Sequence, residues 1–157
     1  MLSGIYTTEQ KPEDIARDFL KFSWGEGDFD ALRRLAVPQF YYQTTFNENI
    51  LDIDQYIGFV STFRKTMPEL ILDIEESMSD GGRVMTYVSF SGSVEQPFYG
   101  IPPTSKIITF PAVSLWNIEN NKVKTLNTLI DISGVERQLG VTLSPSQPLD
   151  VDDLLED

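Results

Sequence analysis

The apolar residues of this chain change period part-way along it. Pro12 with Glu13 and Asp14 has the composition of a first helical turn, because proline there gives up no needed donor and acids suit the positive end of the helix. Ile15, Phe19 and Phe22 then fall on one face. Gly25 and Gly27 are expected to break this helix, and Asp28 to cap a short second one carrying Leu32 and Leu35 that stops at Pro38. The aromatic and β-branched run FYYQTTF, residues 40–46, predicts a strand. Asp52 with Gln55 three residues on has capping-box spacing, and Ile53, Tyr56, Ile57, Val60, Phe63 and Met67 make a helical stripe ended by Pro68.

From residue 70 the pattern is that of strands. Residues 70–78, 83–94, 106–118 and 122–131 are expected to form consecutive antiparallel strands, turned by DGG and ENN and by a longer loop over 95–105. Helices followed by a long meander predict an α+β arrangement: a curved sheet wrapped around the N-terminal helices into a cone with an apolar pocket at its open end. Several strands are apolar on both parities. In the third of these strands Ile107, Val113 and Leu115 alternate with Ile108, Phe110, Ala112, Trp116 and Ile118. A sheet apolar on both faces needs helices on one side and another cover on the other, which predicts a homodimer through the outer face, with Trp116 a candidate contact.

Length and composition set the frame. The 157 residues suit one domain, with 41% hydrophobic and 23% charged residues in the range of folded soluble proteins. The N-terminus lacks a signal-peptide pattern and no stretch approaches a membrane span, so a cytoplasmic location is expected. A net charge of −12 argues against nucleic acid or an anionic membrane as partner. Five of the carboxylates fall in the last eight residues, DVDDLLED, leaving 19 acids against 12 bases over residues 1–149. The boundaries drawn are a cone domain over 1–143 and an acidic extension over 144–157, whose Leu149, Val151, Leu154 and Leu155 are candidates to dock it.

Absent residue types exclude more chemistry than present ones suggest. With no cysteine and no histidine, the chain has no thiolate nucleophile, no Ser-His-Asp relay and no imidazole acid/base. Neither a metal nor a cofactor site is expected. What is left is carboxylate, phenol, lysine and polar side chains.

Asp131, in TLIDISGVERQLG, is the carboxylate that stands out. An aspartate at a strand end often caps the next helix. Here Ser133 and Glu136 also have capping-box spacing, with Gly140 past the helix end, so Asp131 is expected to be free of that duty. By strict alternation it shares a face with Leu129, Asn127, Thr125 and Val123, taken to point into the cone. Tyr41 and Gln43 face one way along their strand and Tyr42 the other, so one set should reach the pocket. Trp24, Phe59 and Phe63 are expected to line its wall or the core. The GIPPT loop over 100–104 is read as a stiff turn, Arg64 as solvated or ion-paired, and Asp73, Glu75 and Glu76 as surface charge on a strand edge.

Three stretches in order, FRKTMPELILDI (63–74), FYGIPPTSKIITF (98–110) and IDISGVERQLG (130–140), resemble the SnoaL-like polyketide cyclase family, of the nuclear transport factor 2-like superfamily. The resemblance spans roughly residues 12–141. It implies the cone fold, and for Asp131 the role of acid/base in a cofactor-free intramolecular aldol ring closure on a hydrophobic carbonyl compound. Asn127, Gln43 or a tyrosine would supply hydrogen bonds to the enolate. Isomerisation or dehydration is the second chemistry the superfamily implies, and a non-catalytic binding or dimerisation module is the rival reading. The chain departs from the family at Asn127, where a tryptophan is usual, at Thr125, where an acid is usual, at Ser105 for glycine, and in lacking histidines.

Overall fold

The computed structural model describes residues 10–97 and 102–142. The acidic tail from residue 144 and the Gly100-Ile101 half of the GIPPT loop lie outside the described residues.

Helix α1, Pro12–Leu20, begins at the proline and buries Ile15, Ala16, Phe19 and Leu20. It does not break at Gly25. A π-helical segment, Lys21–Glu26, continues it and ends at Gly27, whose φ of 66° only glycine adopts readily. The Ser23 hydroxyl donates to the Phe19 carbonyl at 2.7 Å, a side-chain competitor for the helical ladder at the point where the turn widens. Arg64, expected to be solvated or ion-paired, instead donates from Nη1 to the Trp24 carbonyl at 2.5 Å and closes the end of this segment. Asp28 caps α2, Phe29–Arg34, by accepting from the Ala31 N–H.

Strand β1, Ala36–Thr44, starts earlier than the aromatic run suggests and contains Pro38, next to an irregularity in its pairing. A short strand β2, Asn47–Leu51, follows. Helix α3, Ile53–Thr66, opens on the predicted Asp52–Gln55 capping box and buries Tyr56, Phe59, Val60 and Phe63. The meander is β3, Ile71–Asp80; β4, Arg83–Gly92; β5, Ile108–Glu119; and β6, Lys122–Ile130. Helix α4, Ile132–Leu139, closes the described chain. Asn120 and Asn121, at φ 53° and 62°, turn β5 into β6 with the two left-handed residues a tight hairpin needs.

The six strands form one sheet in the order β2-β1-β6-β5-β4-β3. The β3-β4-β5-β6 pairings are antiparallel as expected, but β1 joins β6 in parallel, so the sheet is mixed. The helices pack on its inner face. Trp116 lies in that core rather than on an outer interface: it is 1% exposed, meets Phe19 edge-on, and its indole N–H donates to Thr86 Oγ1 at 2.9 Å.

One irregularity decides which side chains of β6 face inward. Its register against β5 steps from Asn117–Thr125 to Ile118–Val123, leaving Lys124 as an extra residue. Beyond that bulge the inward set is Leu126, Thr128 and Ile130, not the series counted from Val123. Asn127 and Leu129 therefore face outward.

Candidate functional site

The inner face of the sheet and the helices enclose a cavity at one end of the molecule, where β1, β4 and β6 finish and β3 and β5 begin. Rings form much of its wall: Trp24 from the π-helical segment, Tyr42 from β1, Tyr56, Phe59 and Phe63 from α3, Phe90 from β4 and Phe110 from β5. They pack edge-on or tilted, Trp24 against Phe63 at 5.8 Å and Tyr42 against Tyr56 at 4.8 Å between centroids. The cavity volume is about 20 Å³, room for about one water molecule. Its own rings fill the rest.

The polar part of the wall is made mainly of hydroxyls, and among the described residues no carboxylate is in it. Tyr42, Ser114 and Thr128 meet on the β1-β6-β5 side, where Ser114 and Thr128 hydrogen-bond at 2.8 Å. Burial pushes the Tyr42 phenol up to about 12, with the Thr44 and Thr128 hydroxyls pulling against it. Tyr56 is pushed further in the same direction, by burial and then by the neighbouring Tyr42, against hydrogen bonding with Ser23 and Trp24. Both phenols stay protonated near neutral pH and serve as donors rather than bases.

The expected site residues divide three ways. Trp24, Tyr42, Phe59 and Phe63 line the cavity together. Tyr41, Gln43 and Asn127 do not, because Tyr41 and Gln43 alternate outward from Tyr42 and the β6 bulge turns Asn127 outward. The three sit side by side on the outer face, Tyr41 paired with Thr125 and Gln43 with Asn127.

Asp131 takes a third position. It follows Ile130, a cavity residue, at the same end of the sheet, but it is solvent-exposed and caps α4. The Gly134 N–H donates to its Oδ1 at 3.0 Å, and Ser133, expected to be the cap, lies inside the first turn. Two other clamps fix this corner. Thr45 Oγ1 accepts from the Ile130 N–H at 3.0 Å, tying the end of β1 to the end of β6. Gln138 pairs with the Thr109 backbone in both directions, at 2.8 and 2.7 Å, tying α4 to the start of β5. A Cβ at Gly134 would lie 2.9 Å from Asp131 Cγ and press on Oδ2, so glycine is what lets the carboxylate sit over the helix end.

Tyr56, Ser114 and Thr128 are the site residues that strand-end reasoning passed over. Their signal was a hydroxyl inside an otherwise apolar inward series, Ser114 between Ala112 and Trp116 and Thr128 between Leu126 and Ile130.

The family model for the SnoaL-like polyketide cyclase matches residues 14–139. The chain belongs to the SnoaL-like polyketide cyclase family. Solved structures agree on the fold. IdmH from Streptomyces antibioticus superposes with a TM-score of 0.74 at 20% identity, over 84% of this chain and 100% of that one. A SnoaL-like polyketide cyclase from Agrobacterium tumefaciens gives 0.71 at 21%, over 83% and 99%. A protein of ketosteroid isomerase-like fold from Catenulispora acidiphila, solved with trimethylamine, gives 0.68 at 13%, over 87% and 98%. No curated protein sequence matches the chain significantly.

As in that family, the chain is an α+β cone of mixed sheet and helices, and the sheet is not closed. Among the described residues no helix is long and apolar enough to cross a membrane, and no group of three or more acidic residues is placed to hold a metal ion.

Proposed function

We propose that this chain works as a cofactor-free acid/base protein of the cyclase type, acting on a hydrophobic carbonyl-bearing small molecule, with Asp131 as the proton-transfer group. The observation that carries the reading is the place of Asp131: one residue past the cavity-lining Ile130, at the end of the sheet where the cavity lies. One carboxylate oxygen is committed to the Gly134 N–H, and Oδ2 is left to take a proton from a carbon flanked by carbonyls. Intramolecular aldol closure is the reaction class, and isomerisation or dehydration uses the same first step. Asparagine keeps the cap and removes the base. A panel of aromatic polyketide-like ketones should shift the melting temperature of wild type and Asp131→Asn alike, while only wild type converts any of them. Conversion by the asparagine variant would sink the assignment.

The cavity itself supports a second reading. A volume of about 20 Å³ with no carboxylate in the wall suits a non-catalytic binding or dimerisation module. Thermal shifts without turnover by wild type across the panel would select it.

Either way, the outer face is proposed as a homodimer surface. Tyr41, Met85, Tyr87, Leu115 and Leu129 are all exposed there, and the pairing sets Met85 beside Leu115 and Leu129 beside Val113 across three strands. Leu115→Glu should convert a dimer to a monomer in sedimentation velocity. A wild-type chain that sediments as a monomer at tens of micromolar ends this part of the proposal.

A further inference from the structure

The hydroxyls in the cavity wall have more protons than they can use among themselves. Tyr42, Ser114 and Thr128 are 2%, 4% and 7% exposed, and all three line the cavity. Thr44 lies beside the Tyr42 phenol from β1. Ser114 and Thr128 bond each other at 2.8 Å, and the Thr44 and Thr128 hydroxyls act on the Tyr42 phenol. Four hydroxyls bring four donors, and these contacts consume at most three of them. Thr44 also accepts from the Phe46 N–H, which absorbs no donor. Among the described residues none of the four donates to a backbone carbonyl. At least one O–H is thus left over, in a space otherwise walled by rings and aliphatic groups.

The neighbouring tyrosine shows the contrast. Tyr56 donates to Ser23 at 3.2 Å, and Ser23 donates to the Phe19 carbonyl at 2.7 Å, so that chain of donors ends on an acceptor. The Tyr42 chain has no such end. A buried donor without an acceptor is unfavourable, and an entering acceptor removes that penalty. The cavity beside it has room for one water-sized group.

We propose that the Tyr42–Thr128–Ser114 hydroxyls are the anchoring site for a single neutral acceptor oxygen, the carbonyl of a hydrophobic ketone, entering oxygen-first with its apolar body against the aromatic wall. A carboxylate ligand is disfavoured, since among the described residues no cationic side chain lines the cavity. This inference rests on the small-molecule reading above, but it assigns the anchor inside the cone and not at Asp131.

The test compares 1-indanone with 1-methyleneindane, which has the same shape and no acceptor, by ligand-observed NMR titration of the full chain. Wild type should prefer the ketone by roughly 3- to 10-fold, the ratio that one net hydrogen bond supplies. The triple variant Tyr42→Phe/Ser114→Ala/Thr128→Val removes the three anchoring hydroxyls at near-constant shape, keeps the Tyr56 phenol, which already donates to Ser23, and should lose the preference. If that variant does not fold, Tyr42→Phe with the infrared carbonyl stretch of bound indanone decides: a stretch shifted down in wild type should move back toward its value in hydrocarbon. No saturable indanone binding, an equal affinity for both probes in wild type, a preference surviving in the triple variant, or an unmoved stretch in Tyr42→Phe overturns the proposal. Because no turnover is read, failure here with turnover lost in Asp131→Asn leaves the acid/base reading standing, and the reverse outcome leaves the anchor standing.

Discussion

Asp131 is assigned two roles, a helix cap and a proton-transfer group, and substitutions can separate them. As a cap it satisfies the Gly134 N–H, one of the four orphan donors at the start of α4. Losing such a cap to alanine costs about 0.5–2 kcal/mol. The carboxylate charge at the positive end of an exposed helix adds about 0.3–1 kcal/mol, reduced by salt. Asp131→Ala should therefore lose about 1–2 kcal/mol, and Asp131→Asn, which keeps the acceptor, well under 1 kcal/mol. For a chain of this size each kcal/mol moves the melting temperature by about 2–4 °C, so the alanine variant should melt roughly 2–8 °C lower and the asparagine variant within about 2 °C of wild type. Ser133→Ala is the control. Ser133 lies within the first turn and bonds none of the orphan donors, so its substitution should be close to neutral. Calorimetry or urea titration of the three variants reads the result. Loss in Ser133→Ala with none in Asp131→Ala would restore the serine cap that local spacing suggests and would free Asp131 altogether.

Three further outcomes follow from the same geometry. Gly134→Ala ordinarily gains helix stability of up to about 1 kcal/mol, but here its Cβ meets the Asp131 carboxylate, so it should destabilise wild type and stabilise Asp131→Ala, a change of sign that a double-mutant cycle by urea denaturation detects. Arg64→Met leaves the Trp24 carbonyl without its charged donor and should cost about 1.5–3 kcal/mol by denaturation, with a change in tryptophan emission because Trp24 lies in the cavity wall. The Tyr42 phenol is held protonated in the fold, with its titration raised from 10.0 to about 12, so the folded state keeps a proton that the unfolded state releases. The stabilisation is complete below pH 10 and is lost as pH rises toward 12, by up to about 1.4 kcal/mol per pH unit, so Tyr42→Phe should lose less stability than wild type between pH 9 and 11.

What could be read in the sequence, and what could not, follows from the range of each signal. The α3 capping box, the Asp28 cap, the Pro12 start and the Asn120-Asn121 turn are set by neighbours within four residues, and each is where local chemistry places it. Strand phase is not local. One extra residue at Lys124, visible only against β5, reverses the facing of Asn127 and removes it from the cavity. Competition between two caps is equally beyond spacing: Ser133–Glu136 and Asp131 both satisfy a local rule, and the exit of the chain from β6, pinned by Thr45, decides for Asp131. Trp24, Phe59 and Phe63 were expected in the core or the pocket wall because a large aromatic side chain on an inward parity has few places to go, whereas nothing local separated Tyr56 from the rest of its helical stripe. Thr128 and Ser114 were not expected there, because β-strand serine and threonine are common and their convergence depends on three strands meeting in register.

The filled state of the cavity bears on how a ligand is admitted. A molecule larger than water cannot occupy about 20 Å³, so binding must displace wall. The sheet side of that wall is held by continuous ladders from β1 to β4, and its hydroxyl cluster is fixed by cross-strand bonds such as Ser114 to Thr128. The helix side is held chiefly by ring packing of Trp24, Phe59 and Phe63, with the Arg64 tie behind Trp24. Displacement therefore falls on the rings. Each ring moved from the core loses about 1.5–3 kcal/mol of burial unless the ligand covers it, so only a ligand with comparable apolar area can take its place. A ligand of the proposed hydrophobic class would meet that requirement, leaving the hydroxyl wall in place while the opposite wall opens.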